Sequence, residues 1–196
     1  MMGSSTMREI GFFGGSFDPI HFGHINLALQ MLEIHGLAEV LFCPAFCSPF
    51  KSENPPIASP RDRLAMLKLA LAKIPQFRII SLEIDRGGSS YTVDTIRKLE
   101  KEGDQLRLIL SADAAVHFNR WKEPEALMHL APPLIGVRKG VAIEDLPEKL
   151  KKGLTPTKIM EISSTEVRER LKKKLYCGHL VPGKALDYIR IHGLYS

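Results

Sequence analysis

Short apolar runs alternate with longer amphipathic segments along most of the chain. Several of these runs are almost continuously apolar, as is typical of parallel strands buried on both faces. The runs predict strands at Arg8–Phe13, Glu39–Pro44, Phe77–Ile84, Leu106–Leu110, Leu134–Val137 and, more briefly, Lys158–Ile162.

The segments between the predicted strands have the spacing of helices. They lie at Phe22–His35, Pro60–Lys73 and Thr92–Glu102. In the second of these, Ser59 is suited to cap the helix and Pro60 to occupy its first position. Leu64, Leu67 and Leu71 then form one apolar stripe.

Strands that alternate with helices predict an α/β fold with a doubly wound parallel sheet. Ligands of such sheets bind beyond the carboxyl ends of the strands, where the strand order reverses. We expect a single domain over residues 1–196, with a helical C-terminal segment at 163–196 that packs across this edge. The proline-rich segment Ala45–Ala58 is long enough for a functional loop.

Composition restricts the class of protein. The chain has 196 residues, 44% hydrophobic and 25% charged, which is typical of a globular domain. No apolar run is long enough to cross a membrane, and the polar segment Met1–Thr6 is interpreted as an addition ahead of a natural start at Met7. The cysteines Cys43, Cys47 and Cys177 lack zinc-site spacing, so we expect free thiols in the cytoplasm.

A formal net charge of +5 favours anionic ligands. The densest basic run, 168–174, is interpreted as a solvated helix face, because the aromatic residues that accompany single-strand binding are absent from it. We therefore expect no nucleic-acid partner and no membrane partner. Whether the chain forms a homo-oligomer stays open.

The most informative segment is Gly14–His24, directly after the first predicted strand. Glycines allow backbone N–H groups to approach an oxyanion, and a helix N-terminus adds positive potential. His21 and His24 are spaced to lie on one face of the first helical turn. The segment lacks the Gly-Lys-Ser/Thr of a P-loop and the third glycine of a dinucleotide fold. It predicts a site for a polyphosphate.

This segment resembles the signature of the nucleotidyltransferase superfamily, Gly-x-Phe-Asp-Pro-x-His-x-Gly-His. The matching residues are Gly15, Phe17, Asp18, Pro19, His21, Gly23 and His24. The resemblance implies a Rossmann-like nucleotidyltransferase fold, ATP as a substrate and catalytic roles for His21 and His24. It also implies phosphate binding by Gly14, Gly15, Ser16 and Phe17.

A second segment, Ile162–Arg168, fits a helix start at which Ser163 and Glu166 form a capping box. The same hydroxyls and free N–H groups suit a second phosphate site, with Arg168 supplying charge. Ile-Ser-Ser-Thr-x-x-Arg also resembles the second signature of adenylyltransferases. That resemblance implies that Ser163, Ser164 and Thr165 bind the ATP triphosphate and that Arg168 is catalytic.

Further segments resemble the bacterial nicotinate-nucleotide adenylyltransferases. They are Ser89–Thr92, Trp121, Ser59–Leu67 and the terminal Ile191–Tyr195. The resemblance implies that Tyr91 and Thr92 hold a pyridine carboxylate and that Trp121 stacks on the pyridine ring. An ordinary helix cap at Ser90 or Thr92, and a core or surface role for the tryptophan, remain alternatives.

Two segments depart from that family. Its Pro-His-Lys is Pro49-Phe50-Lys51 here, so Lys51 remains for substrate binding while the histidine is lost. Its Gly-x-Asp is Ser111-Ala112-Asp113, so Asp113 remains for the ribose or adenosine side. Because Ser111 replaces the family's glycine, we expect fewer allowed backbone conformations at this position and less space for a ligand.

Mg²⁺ is expected to accompany ATP. Asp18 is either a ligand of that ion through water or an Asx-turn residue before Pro19. We interpret His117 and His129 as ordinary surface or core residues.

The resemblance implies transfer of the adenylyl group of ATP to nicotinate mononucleotide in NAD biosynthesis, with release of deamido-NAD and pyrophosphate. The alternatives are an adenylyl- or cytidylyltransferase with another phosphate acceptor, and a non-catalytic nucleotide sensor.

Overall fold

The structure is a computed structural model. It describes residues 8–51, 55–100, 103–137, 144, 146–158 and 160–196, with the side chain of Lys51 excepted. The predicted additional segment at residues 1–6 and the predicted end of the third helix at residue 102 lie outside the described residues.

The described strands form one parallel sheet in the order β3-β2-β1-β4-β5-β6. They are β1 (Glu9–Gly15), β2 (Glu39–Pro44), β3 (Phe77–Ile79), β4 (Gln105–Ser111), β5 (Pro133–Gly136) and β6 (Leu154–Thr155). The chain runs outward from β1 to β3 and then returns to place β4 on the other side of β1. The predicted doubly wound sheet is therefore confirmed, and its strand order reverses between β1 and β4.

Helices cover both faces of the sheet. They are α1 (Phe22–His35), α2 (Pro60–Leu71), α3 (Leu82–Arg86), α4 (Thr92–Glu100), α5 (Ala112–Val116), α6 (Pro124–Leu130), α7 (Ser164–Lys172) and α8 (Gly183–Ile191). Short 3₁₀ helices lie at Pro49–Lys51, Phe118–Arg120 and Glu148–Gly153. No helix within the described residues is long and apolar enough to cross a membrane.

Each face of the sheet has its own apolar core. Successive strand residues point to opposite faces, so Phe13 packs in the core with α1, α2 and α8, whereas Phe12 packs in the core with α4 and α6. This arrangement explains the nearly continuous apolar sequence of β1, which is buried on both faces.

Two of the predicted strands are wrong in detail. The apolar run predicted as a strand over Phe77–Ile84 divides into β3 and α3, because β3 pairs only along Phe77–Ile79 with β2. The sixth strand of the described residues is Leu154–Thr155 beside β5, and the described residues 158 and 160–162 of the predicted strand Lys158–Ile162 are not in a strand. Short apolar runs do not by themselves distinguish strands from helix segments.

The C-terminal segment is not helical throughout. It contains α7 and α8, which are separated by turns over residues 173–182. Tyr188 of α8 donates a hydrogen bond of 2.9 Å to Asp62 of α2. The Tyr195 hydroxyl donates a hydrogen bond to the Asp18 carboxylate. α8 therefore packs on α2, and α7 is the part of this segment that lies at the edge of the sheet where ligands are expected.

Candidate active site

A cleft of about 1040 Å³ lies at the carboxyl ends of β1 and β4. Its wall includes the β1 end at Gly14 and Gly15, the β4 end at Ser111 and the start of α7 at Ser164. The cleft therefore lies at the reversal of strand order, where a doubly wound sheet binds its ligands.

The two histidines of the first motif form the N-terminus of α1. His21 is the N-cap residue, and its Nδ1 accepts a hydrogen bond of 3.4 Å from the backbone N–H of His24. In return, Nδ1 of His24 accepts one of 3.3 Å from the backbone N–H of His21. The rings stack with centroids 3.6 Å apart. Both imidazoles line the cleft, so they cap the helix and face the predicted phosphate site together.

These bonds determine which ring nitrogen carries the proton when each histidine is neutral. A neutral imidazole carries one N–H, and an Nδ1 that accepts from a backbone amide leaves the proton on Nε2. Gly23 makes the arrangement possible, because a Cβ there would lie 3.0 Å from His21 Nδ1.

Phe17 supports the histidines from the core. It is buried, and its ring lies edge-on to that of His24 with centroids 5.1 Å apart. A Cβ on Gly15 would lie 3.0 Å from the Phe17 ring. The phosphate-binding prediction for Phe17 can therefore concern only its backbone, since its side chain belongs to the core.

Asp18 joins three separate parts of the chain. Its carboxylate is 4% exposed and accepts hydrogen bonds from the N–H groups of Ile57 and Ala58, at 2.8 and 3.0 Å. Tyr195 donates its hydroxyl to the same carboxylate at 2.7 Å. Burial and this bond raise the pKa of Tyr195, which stays a donor. The carboxylate thus holds the loop before α2 and the chain terminus against the first motif.

Arg63 lies beside Asp18 and is fully buried. Its guanidinium donates to the carbonyls of Ser16, Phe46 and Ala58, at 2.7, 3.0 and 3.3 Å. Burial lowers the pKa of Arg63, and the charge of Asp18 opposes that shift. Leu64 was predicted on the apolar stripe of α2, but it is only partly buried. The neighbouring Arg63 is buried instead, together with Met66 and Leu67.

The second motif begins α7, as predicted. Ser163 is the N-cap, and its hydroxyl accepts from the N–H of Glu166 at 3.1 Å. Ser164 donates to the Pro19 carbonyl at 2.9 Å, and Arg168 donates to the Asp18 carbonyl at 2.8 Å. The two motifs are therefore joined directly.

Thr165 and Arg168 complete this wall of the cleft. The Arg168 guanidinium donates to the Thr165 hydroxyl at 3.1 Å. Both residues and the two serines line the cleft. The first-turn N–H groups of α7 have no acceptor within the helix, which suits an anion.

The opposite wall contains the start of α4. The Ser90 hydroxyl accepts from the N–H of Phe46 at 2.9 Å, so it holds the loop after β2 and does not cap α4. Tyr91 supplies the first helical carbonyl, which accepts from Thr95 N–H at 3.4 Å. Tyr91 and Thr92 line the cleft, where the first amides of α4 are available to a carboxylate.

Trp121 lies beside this helix start and also lines the cleft. It follows the Phe118–Arg120 turn, and its ring packs against buried Phe118 with centroids 5.6 Å apart. Phe50 lies 6.4 Å from the Trp121 ring, centroid to centroid. Lys51 ends the Pro49–Lys51 turn, but its side chain lies outside the described residues, so its predicted role stays a prediction.

The remaining predicted residues lie near the end of β4. Asp113 is in the first turn of α5 and lines the cleft. Ser111 has an extended backbone with φ −76°, which any residue adopts, so the lost glycine has not forced an unusual conformation. His117 is exposed at the cleft, whereas His129 is exposed and is not part of the cleft wall.

No group of three or more His, Cys, Asp or Glu residues within the described ranges could hold a metal ion. The Asp18 carboxylate already accepts three hydrogen bonds. Its part in binding Mg²⁺ through water stays a prediction.

Several residues of this site were not predicted. Arg63 and Tyr195 are the partners of the first motif described above, and Glu83 is a buried carboxylate in the cleft wall that accepts from Thr95 Oγ1 at 2.7 Å. A charged residue among the apolar positions of α2 is a signal that could have identified Arg63. Tyr195 and Glu83 carry no such signal, because their partners are remote in sequence or lie on another element.

Comparisons with known proteins show the family to which the chain belongs. The sequence model of the cytidylyltransferase-like family matches residues 12–170, so the chain belongs to that family. A Thermus thermophilus protein named probable nicotinate-nucleotide adenylyltransferase is 42% identical over 95% of this chain and 99% of its own length. Bacillus subtilis nicotinate-nucleotide adenylyltransferase is 37% identical over 97% of this chain and all of its own length. Within the family, the chain is a member of the nicotinate-nucleotide adenylyltransferases.

Solved structures give the same fold. A Plasmodium falciparum nicotinic acid mononucleotide adenylyltransferase, complexed with NaAD, superposes with a TM-score of 0.79. The alignment covers 96% of this chain and 97% of that one, at 21% identity.

Proposed function

We propose that this protein transfers the adenylyl group of ATP to nicotinate mononucleotide, giving deamido-NAD and pyrophosphate in NAD biosynthesis. One observation carries the proposal: a single cleft has helix N-termini and histidines on one side and an aromatic residue beside a helix start on the other. The first side suits a polyphosphate, and the second suits an aromatic acid.

The reaction is an in-line displacement at phosphorus. An oxygen of the nucleotide 5′-phosphate attacks the α-phosphorus of ATP, and the bond from that phosphorus to the pyrophosphate oxygen breaks. The attacking phosphate is already anionic, so neither a protein nucleophile nor a general base is needed. Catalysis then depends on positioning and on stabilising the charge that develops on the phosphates.

His21 and His24 supply donors for that charge. With Nδ1 of each ring accepting from a backbone amide, the ring proton lies on Nε2, which is the atom proposed to donate to a phosphate oxygen. The two rings are held by the helix cap and by Phe17, so their direction is set before the substrate binds. Donors fixed in this way lower the barrier because they need no reorganisation during the reaction.

The start of α7 is proposed to hold the β- and γ-phosphates. The backbone N–H groups of Ser164 and Thr165 lie at the positive end of the helix, and Arg168 adds a full charge beside them. Mg²⁺ is proposed to enter the site with ATP, as MgATP. When present, Mg²⁺ would supply positive charge that stabilises the phosphates during the transfer.

The acceptor is proposed to bind with its carboxylate at the first amides of α4, near Tyr91 and Thr92. Its pyridinium ring stacks on Trp121, where the electron-rich face of the indole attracts a cation. This end of the cleft selects the acceptor, and the histidine end carries out the transfer.

The test is a pyrophosphate-release assay with MgATP and a panel of acceptors, with products identified by mass. Nicotinate mononucleotide should give deamido-NAD and one pyrophosphate per dinucleotide. Turnover only with phosphopantetheine or glycerol phosphate would assign another acceptor. Nucleotide binding without pyrophosphate release from any acceptor would identify a sensor.

A further inference from the structure

A large aromatic side chain at the acceptor end of the cleft is half exposed to solvent. Phe50 is 49% exposed and belongs to the 3₁₀ turn Pro49–Lys51, in the loop that follows β2. It lines the cleft, whereas the loop is anchored by backbone groups of other residues, namely Phe46, Cys47, Ile57 and Ala58. Phe50 therefore has little part in holding the fold.

The ring of Phe50 lies close to the ring of Trp121. The Phe50 and Trp121 centroids are 6.4 Å apart with an angle of 36° between the ring planes. Trp121 is supported on the core side by Phe118, which is fully buried. Phe50 approaches the same indole from the exposed loop.

We propose that Phe50 is the second aromatic wall of the acceptor site, so that the pyridine ring is held between Phe50 and Trp121. This inference rests on the proposed function. One planar ring between two others needs two contacts of about 3.5 Å each, or about 7 Å in all. The present 6.4 Å separation reaches that value with a small rotation of an exposed side chain.

The charge of the ligand suits this site. The Arg120 guanidinium lies 5.9 Å from the centroid of the Phe50 ring, so this ring already has a cation beside it. This positive charge beside the Phe50 ring favours the carboxylate of nicotinate mononucleotide.

The proposal gives a reason for the departure from the Pro-His-Lys pattern. An imidazole at position 50 donates a hydrogen bond, whereas the phenyl ring of Phe50 offers only an apolar face. The loop therefore adds aromatic surface for the acceptor in this chain. Such a wall selects flat, aromatic acceptors over flexible aliphatic ones.

Trp121 makes a direct test possible, because it is the only tryptophan in the chain. Nicotinate mononucleotide is titrated into the wild-type protein and into Phe50→Leu and Phe50→Tyr variants, with Trp121 fluorescence as the readout. Ile57→Ala is the matched control, since it removes another exposed apolar side chain of the same loop that does not line the cleft. MgATP affinity and thermal unfolding are measured on all four proteins.

Phe50→Leu should weaken nicotinate mononucleotide binding by about three- to tenfold, because one stacking contact is lost. Phe50→Tyr keeps a ring and should bind like the wild type, as should Ile57→Ala. MgATP affinity and the unfolding temperature should not change. Unchanged binding by Phe50→Leu, or an equal loss for MgATP, would overturn the role of Phe50. A wild-type protein that neither binds nicotinate mononucleotide nor forms deamido-NAD would instead contradict the proposed function.

Discussion

The two ends of the cleft are built in different ways. At the phosphate end, Asp18, His21 and Arg63 are buried and hydrogen-bonded to backbone groups from several elements. At the acceptor end, Trp121 is only partly buried and Phe50 is half exposed. The phosphate end is therefore continuous with the core, whereas the acceptor end is a set of side chains placed on the outside of it.

Under the proposed function, catalysis depends on the phosphate end and the choice of acceptor depends on the other end. A substitution at the phosphate end disturbs groups that also stabilise the fold. It should therefore lower the free energy of unfolding, kcat or both. A substitution at the acceptor end leaves the core in place and changes the affinity for one substrate.

The largest expected effect is on stability, at Arg63. Arg63→Met removes the donor of the Ser16, Phe46 and Ala58 carbonyls and leaves the Asp18 charge without its buried neighbour. We expect a loss on the order of 3–5 kcal/mol in the free energy of unfolding. Urea denaturation measures it. Arg61→Met on the exposed side of the same helix is the control, and equal midpoints for the two variants would refute the structural role.

The next effect is on turnover, at His24. His24→Asn keeps an oxygen that can accept from the His21 N–H in place of Nδ1 but removes the Nε2 donor. We expect kcat to fall about 10²- to 10³-fold with an unchanged unfolding temperature. His24→Gln, whose amide can reach the Nε2 position, should keep more activity. Near-normal kcat in a folded His24→Asn protein would exclude the assigned role.

The Trp121 substitution should have a smaller and more selective effect. Trp121→Leu should raise KM for nicotinate mononucleotide several-fold to about 30-fold, since stacking contributes about 0.5–2 kcal/mol. KM for MgATP should stay the same in steady-state kinetics. Tyr176→Leu removes an exposed aromatic ring outside the cleft and should change neither constant. Equal increases for both substrates would mean that Trp121 serves the fold.

The geometry of the proposed phosphate end could largely be predicted from sequence, because its parts are adjacent along the chain. β1, the following turn and α1 are adjacent along the chain, so strand pattern, glycines and helix-capping histidines appear in one segment. The start of α7 is local in the same way, with Ser163 as its cap.

What could not be predicted depends on contacts between distant parts of the chain. The Tyr195 bond to Asp18 joins two ends of the sequence, and the Ser90 bond to Phe46 joins two loops. The short edge strand Leu154–Thr155 forms because it pairs with β5. The sequence around it has no pattern that predicts this pairing. The proximity of Phe50 to Trp121 likewise arises only in the folded protein.

The central claim is that one end of this cleft selects nicotinate mononucleotide. The amides at the start of α4 are donors that suit a carboxylate, whereas a carboxamide would turn its own N–H₂ toward one of them. Steady-state kcat/KM with nicotinate mononucleotide and with nicotinamide mononucleotide measures the difference directly. We expect the acid to be preferred by at least about ten- to a hundredfold, because each mismatched pair costs about 1–3 kcal/mol. Equal efficiency, or a preference for the amide, would contradict it.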